Sequence, residues 1–97
     1  MDFPHPNKKY FTVYSKSDCI YCNKVKSLLK HNKLNFNIIN CDEFILDYRQ
    51  EFLSFMKSLT NKDLITFPIV FDEGNFIGGY NETNTYIKQI LNFDDFF

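Results

Sequence analysis

The spacing of apolar and polar side chains changes period several times along the chain. Tyr10 to Tyr14 sets Phe11 and Val13 against Thr12, the two-residue period of a strand, and stops at the polar run Ser15 to Asp18. From Cys19 onward Tyr21, Val25, Leu28 and Leu29 recur at helical spacing, while Lys24, Lys26 and Lys30 face away. Lys30 and His31 come last, where a helix dipole favours cations. That spacing predicts a helix with Cys19 at its beginning. Phe36 to Asn40 reads as a second short strand, and Asp42 is placed to cap the helix that follows. In that helix Ile45, Tyr48, Phe52, Phe55, Met56 and Leu59 form one stripe, which ends at Asn61 to Leu64. Ile69 to Phe71 and Asn75 to Ile77 flank Asp72-Glu73-Gly74, a turn signal that makes them a hairpin. Gly78-Gly79 closes the hairpin, and Thr83, Tyr86, Ile87, Ile90 and Leu91 line the face of a last helix.

The order is therefore β-α-β-α-β-β-α, an α/β arrangement. A strand, a crossover helix and a strand predict a right-handed parallel pair, and the hairpin adds two antiparallel strands. The expected product is a four-stranded mixed sheet flanked by three helices, with helices on both faces. At 97 residues the chain suits one domain over 1–97. Residues 1–8 and 92–97 lie outside the pattern and are expected to be mobile ends.

Composition narrows the class. The chain is 44% hydrophobic, 24% charged and 19% aromatic, with twelve Phe and no Trp, which fits a packed globular core. Apolar runs such as Phe67 to Phe71 fall far short of the roughly 20 residues that span a bilayer, so no membrane partner is expected. The start, MDFPHPNKKYF, has no apolar signal-peptide core, and a reducing cytosol is the expected location. Charge is uneven: residues 1–33 carry seven Lys against Asp2 and Asp18, a balance of +5, and the remainder carries four Lys/Arg against ten acids, a balance of −6. The basic half surrounds a cysteine pair. Its lysines are scattered and lack the stacking aromatics of an RNA-binding motif, so nucleic acid is not expected as a partner.

Cys19-Ile20-Tyr21-Cys22 carries the chemistry. Two intervening residues at a strand-to-helix turn let the sulfurs close a small disulfide ring. At the helix start, the first N–H groups lack intrahelical acceptors, so a Cys19 thiolate accepts their hydrogen bonds and feels the positive end of the dipole. Both effects lower a thiol pKa from its usual value of about 8.5. Cys22, one turn in, is better shielded and is placed to attack a mixed disulfide formed at Cys19. Cys19 thus reads as nucleophile and Cys22 as resolver. A zinc site would need two further ligands from Cys41, His5 and His31, and no second paired motif supplies them, so no metal is expected. Cys41, without a near partner, reads as a buried structural thiol.

Together, Lys16, the Cys19–Cys22 motif, Thr66-Phe67-Pro68, and Gly78-Gly79 followed by Asn81 and Glu82 resemble the glutaredoxin family over almost the whole chain. The resemblance implies a thioredoxin-like fold and a glutathione-dependent thiol-disulfide oxidoreductase, with glutathione as reductant and no tightly bound cofactor. It implies a cis Phe67-Pro68 bond that turns the Phe67 backbone toward the cysteine of glutathione. Lys16 matches the family's cation for the glycine carboxylate, and Tyr21 an aromatic beside the resolver. Thr66 and Gly79 complete the expected binding set, with Asn81 and Glu82 at the positions that take the γ-glutamyl carboxylate and amine. The implied partners are glutathione and disulfide-bearing or glutathionylated proteins, with ribonucleotide reductase one by family analogy, acting on a monomer. Departures stand out: Ile20 replaces the proline common in dithiol members, Phe67 replaces the usual Val, and Ile65 and Ile69 occupy positions where relatives often carry Arg, Lys or Gln. Two related readings stay open, a [2Fe–2S] carrier formed by two protomers and a thioredoxin-like reductase, as does an interaction module that docks a partner through the acidic, aromatic tail Asn92 to Phe97.

Overall fold

In a computed structural model that describes residues 2–63 and 66–92, four strands and four helices follow one another as β1 Phe11–Ser15, α1 Ile20–His31, β2 Phe36–Asn40, α2 Asp42–Asp47, α3 Arg49–Thr60, β3 Ile69–Asp72, β4 Asn75–Gly78 and α4 Tyr80–Asn92. Leu64, Ile65 and residues 93–97 lie outside the described residues, and with them the expectations for Ile65 and most of the acidic tail. Among the described residues no helix is long and apolar enough to cross a membrane.

The strands form one mixed sheet in the order β2-β1-β3-β4. β1 pairs parallel to β2, with Val13 opposite Ile38, and antiparallel to β3, with Tyr14 opposite Ile69. The two-residue turn Glu73-Gly74 has positive φ at both positions, the geometry that matches strand twist in a tight hairpin. Side-chain alternation along the central strands then divides the core in two. Phe11 and Val13 of β1 and Val70 of β3 pack with Val25 and Leu29 of α1 and Ile87 of α4. Tyr14, Ile69 and Phe71 point the other way, into Phe44, Phe52 and Met56 of α2 and α3. The sheet therefore carries helices on both faces, and β1, covered on both, is buried throughout.

Two expectations are corrected here. The second of the three expected helices is two helices, broken at Tyr48, whose φ of −136° leaves the helical region although hydrogen bonds run on through it. Phe44, Phe52, Met56 and Thr60 are the buried positions. Residues four apart on a 3.6-residue helix drift by about 40° per step, so one straight helix would turn this stripe away from the sheet. The break resets the phase and lets Phe44 and Phe52 both reach the core. The N-terminal stretch, expected to be mobile, is packed from Phe3 onward. Phe3 is 7% exposed, with its ring 5.0 Å from that of Phe44 and 5.4 Å from that of Phe52, and Pro4 O accepts the Tyr14 hydroxyl at 2.6 Å.

This topology collects one set of termini. The C-terminal ends of β1, β2 and β4 and the N-terminal end of β3 share one edge of the sheet. The loops that follow β1 and precede β3, and the start of α4, therefore meet there.

Candidate active site

The loop after β1 holds the cysteines. Asp18 takes a left-handed conformation (φ 55°), which short polar side chains tolerate. The loop is tied to the start of α2: Ser17 N donates to Asp42 Oδ1 at 2.9 Å, and the Ser17 hydroxyl donates to Asp42 Oδ2. These two hydrogen bonds, with Lys16 nearby, hold the Asp42 carboxyl below the usual carboxylate range. Asp42 was expected to cap its own helix. It is instead the first residue of α2, its N–H donates to Asn40 Oδ1 at 2.9 Å, and its carboxylate serves the cysteine loop across the sheet edge.

Cys19 is the N-cap of α1, and its sulfur accepts the Cys22 N–H at 3.2 Å. Cys19 and Cys22 form a disulfide with Cα atoms 5.2 Å apart. The first turn of α1 contains no acid that would compete for its positive end. Cys19 is 9% exposed and Cys22 is fully buried. On reduction the outer sulfur is left with an N–H donor and the helix dipole, which favour its thiolate, while Cys22 stays shielded behind it. Cys41 is buried, and burial pushes its thiol up to about 12, which leaves it protonated and unreactive.

Opposite this loop, the chain enters β3 through Thr66-Phe67-Pro68. The Phe67-Pro68 peptide is cis, as the resemblance implies, and Pro68 is fully buried. Phe67 lies parallel to Phe52, with ring centroids 6.3 Å apart, and the Lys16 ammonium is 5.9 Å from the Phe67 ring. Two clefts meet at Thr66. The smaller, about 290 Å³, is lined by Lys16, Arg49, Phe52, Leu53, Thr66 and Phe67. The larger, about 410 Å³, runs from Thr66 and Pro68 to Gly78, Gly79 and Glu82, with Lys62 on its side.

At the far end of the larger cleft α4 begins. Gly79 is in the N-cap position: its carbonyl accepts the Thr83 N–H at 3.0 Å, and its own N–H donates to Glu82 Oε1 at 2.8 Å. Glu82 thus supplies half of a capping box, and Gly79, lacking a side chain, leaves the next N–H groups of α4 open to an anion. Gly78 (φ 139°) has no room for a Cβ, which would fall 2.7 Å from Glu82 Cβ.

The expected site residues divide accordingly. Lys16, Thr66 and Phe67 line one cleft, and Thr66, Pro68, Gly79 and Glu82 the other. Asn81 lines a separate cleft with Phe76, Thr85 and Tyr86. Tyr21 lies against Tyr80, ring centroids 5.9 Å apart, outside both. Ile69 is buried in the core on the wall of the larger cleft. Arg49 was missed. Its one sequence signal is a cation in the first turn of a helix, where the dipole disfavours it, but its meeting with Lys16 comes from tertiary structure alone.

Comparison with known proteins matches residues 11–77 to the Glutaredoxin family model. Bovine mitochondrial glutaredoxin-2 is 30% identical over 77 residues, 79% of this chain and 46% of the relative. The chain spans about half the length of the mitochondrial relatives it matches. The crystal structure of glutaredoxin 1 from Francisella tularensis superimposes with a TM-score of 0.72 at 25% identity, covering 84% of this chain and 95% of that one. That of a buckwheat glutaredoxin-glutathione complex gives 0.69 at 25% identity, over 86% and 72% of the two chains.

Proposed function

The chain belongs to the glutaredoxin family, and on that premise we propose that it is a thiol-disulfide oxidoreductase that draws its electrons from glutathione. The observation that carries this reading is the Cys19–Cys22 disulfide at the N-terminus of α1, with the outer sulfur capping the helix and the inner one buried.

With a glutathione mixed disulfide, the Cys19 thiolate attacks the glutathione sulfur, the old S–S bond breaks, and the substrate leaves as a thiolate that takes a proton from water. A second glutathione thiolate then attacks Cys19–S–S–glutathione, which frees Cys19 and forms oxidised glutathione. With a protein disulfide, Cys19 forms a mixed disulfide with the protein and Cys22 resolves it. The protein departs as a dithiol, and two glutathiones return the pair to its reduced form. Each cycle moves two electrons.

The clefts suit the two ends of that tripeptide. Lys16 and Arg49 present positive charge for its glycine carboxylate, and the uncapped N–H groups at the start of α4 suit the carboxylate of its γ-glutamyl end. That a buckwheat glutaredoxin of the same fold was solved in complex with glutathione supports glutathione as the reductant. Substrates of this class include glutathionylated proteins.

The test follows NADPH consumption with glutathione, glutathione reductase and a mixed disulfide of glutathione with a small thiol. Wild type is expected to turn over, Cys19→Ser to be inactive, and Cys22→Ser to keep activity on the mixed disulfide while losing it on protein disulfides. Turnover with thioredoxin reductase but not with glutathione would overturn the proposal.

A further inference from the structure

α1 and α4 pack side by side, and the groove between them opens next to the redox pair. Ile20, between the two cysteines, is 72% exposed, and Tyr21 is 53% exposed. From Ile20 a cleft of about 640 Å³ continues along α1 past Asn23, Lys24, Leu28 and His31, with Tyr80 of α4 on its wall. The Lys24 ammonium stands 5.1 Å from the Tyr21 ring and 5.8 Å from the Tyr80 ring, so an aromatic floor carries a cation beside it. None of these side chains lines the two clefts assigned to glutathione.

Among the described residues that line the groove, the titratable side chains besides Tyr80 are Lys24 and His31, with no Asp or Glu. Residues 19–41 include Lys24, Lys26, Lys30 and Lys33 and no Asp or Glu. Within α4 the charged residues are Lys88 and Glu82, and the Glu82 carboxylate is engaged by the Gly79 N–H. The nearest acid along the chain is Asp18, before Cys19. The core does not call for this surface, since Val25 and Leu29 already bury the inner face of α1. An exposed apolar strip beside the reacting sulfurs, bordered by the Lys24 ammonium, is the complement of a polypeptide, not of a tripeptide thiol.

We propose that the α1–α4 groove docks the polypeptide part of the substrate, and that it selects cysteines whose flanking segment carries acidic residues beside a large apolar side chain. The inference rests on the thiol-disulfide reading above and names the substrate class of that site. The apolar side chain lies over Ile20 and Tyr80, the acids face Lys24 and His31, and the sulfur exchange proceeds as already written.

The test uses two peptides, each bearing one cysteine as its glutathione mixed disulfide and differing only in flanks, Asp-Asp-Phe against Lys-Lys-Phe. The acidic peptide is expected to show a kcat/KM roughly three- to tenfold higher at low salt, with the gap closing at about 0.5 M salt. Lys24→Glu is expected to abolish or invert the preference and Lys24→Gln to halve it, while the rate on a small neutral mixed disulfide of glutathione stays at the wild-type value. Equal rates on the two peptides, or a preference unchanged in Lys24→Glu, would refute the groove. So would an equal fall on the small disulfide, since Lys24 would then act on the sulfur. Inactivity of wild type on the small disulfide would instead strike the underlying glutathione reading.

Discussion

Replacing Gly78 by Ala tests how the start of α4 is built. Gly78 has φ 139°, a conformation that costs a residue with a Cβ about 1–3 kcal/mol. An added Cβ would also meet Glu82 Cβ at 2.7 Å and Glu82 Cγ and Oε1 at 2.8 Å. Rotating the Glu82 side chain relieves the second and third contacts but surrenders its bond to the Gly79 N–H, a cap worth about 1 kcal/mol. The first contact is to an atom fixed on the helix, so relief requires α4 itself to shift, at the roughly 1–3 kcal/mol typical of overpacking. Because the routes overlap, the net cost falls at the low end of their sum, about 3 kcal/mol, or a fall in Tm of roughly 12–24 °C for a domain of this size. The assay is urea and thermal unfolding of Gly78→Ala beside two controls. Gly74→Ala shares the positive φ (83°) but meets nothing within 4 Å, so it should cost only about 1–2 kcal/mol. Glu82→Ala should cost about 1 kcal/mol. In the double variant the Cγ and Oε1 contacts vanish and the Cβ contact stays, so the two changes should couple by about 1 kcal/mol toward less damage than additivity. If Gly78→Ala costs no more than Gly74→Ala, or the cycle shows no coupling, close approach of Glu82 is not what requires glycine here.

Three further outcomes are expected. Phe3→Ala should lower stability by about 2–4 kcal/mol, seen as a lower urea midpoint, because the ring fills a site among Phe44, Phe52 and Phe55; a change under about 0.5 kcal/mol would mean the N-terminal stretch is not held there. Burial raises Cys41 to about 12, the hydrogen bond to Asp72 raises Tyr86 to about 12, and burial raises Tyr14 further, so folded-state pKa values exceed unfolded ones. Their stabilising contribution is complete below about pH 9 and falls as pH rises toward about 12, because the unfolded chain ionises first; a urea midpoint that does not fall between pH 9 and 11 would refute this. Asp42→Ala should release Ser17 and lower kcat/KM on small mixed disulfides. Because the Asp42 carboxyl is held low by Ser17, its contribution is present above its unfolded pKa and lost as pH falls, so wild type and variant should converge in stability toward pH 3, and a constant difference would count against the clamp.

Much of this was legible from local pattern. Phe11 and Val13 against Tyr14 place β1 between two layers, and Glu73-Gly74 announces the hairpin, because strand period and turn chemistry are written within a few residues. The cysteine pair is legible for the same reason, since capping a helix with a sulfur needs only the strand before it and the helix after it. Thr66-Phe67-Pro68 is different: a proline entering a strand reads locally as an edge or a turn, and only family resemblance marks it as part of the site. The break at Tyr48 carries no Pro or Gly, and it follows from Phe44 and Phe52 both reaching Phe3, contacts of forty to fifty residues' separation. Arg49 shares that blind spot, because its partner in the cleft, Lys16, belongs to another element.

The adjacency of β1 and β3 is the decisive fact that pattern alone leaves open. Once Tyr14 pairs antiparallel with Ile69, Lys16 and the cysteine loop must leave the sheet at the edge where Thr66 to Pro68 enter it. Since β4 runs antiparallel to β3, it must end at that same edge, and α4 starts there one residue later. Two helices therefore bring their positive ends to one edge of the sheet through topology, one at Cys19 and one at Gly79. A thiolate and the carboxylate of the molecule that exchanges with it can each be stabilised by backbone N–H groups, with side-chain charge only at the rim. That arrangement offers backbone donors to an anionic thiol although Ile20, Phe67 and Ile69 are apolar. It also predicts where variation is tolerated: rim cations such as Lys16 and Arg49 should change KM by modest factors, whereas a change at Gly78 or at the β1–β3 pairing should remove the site as a whole.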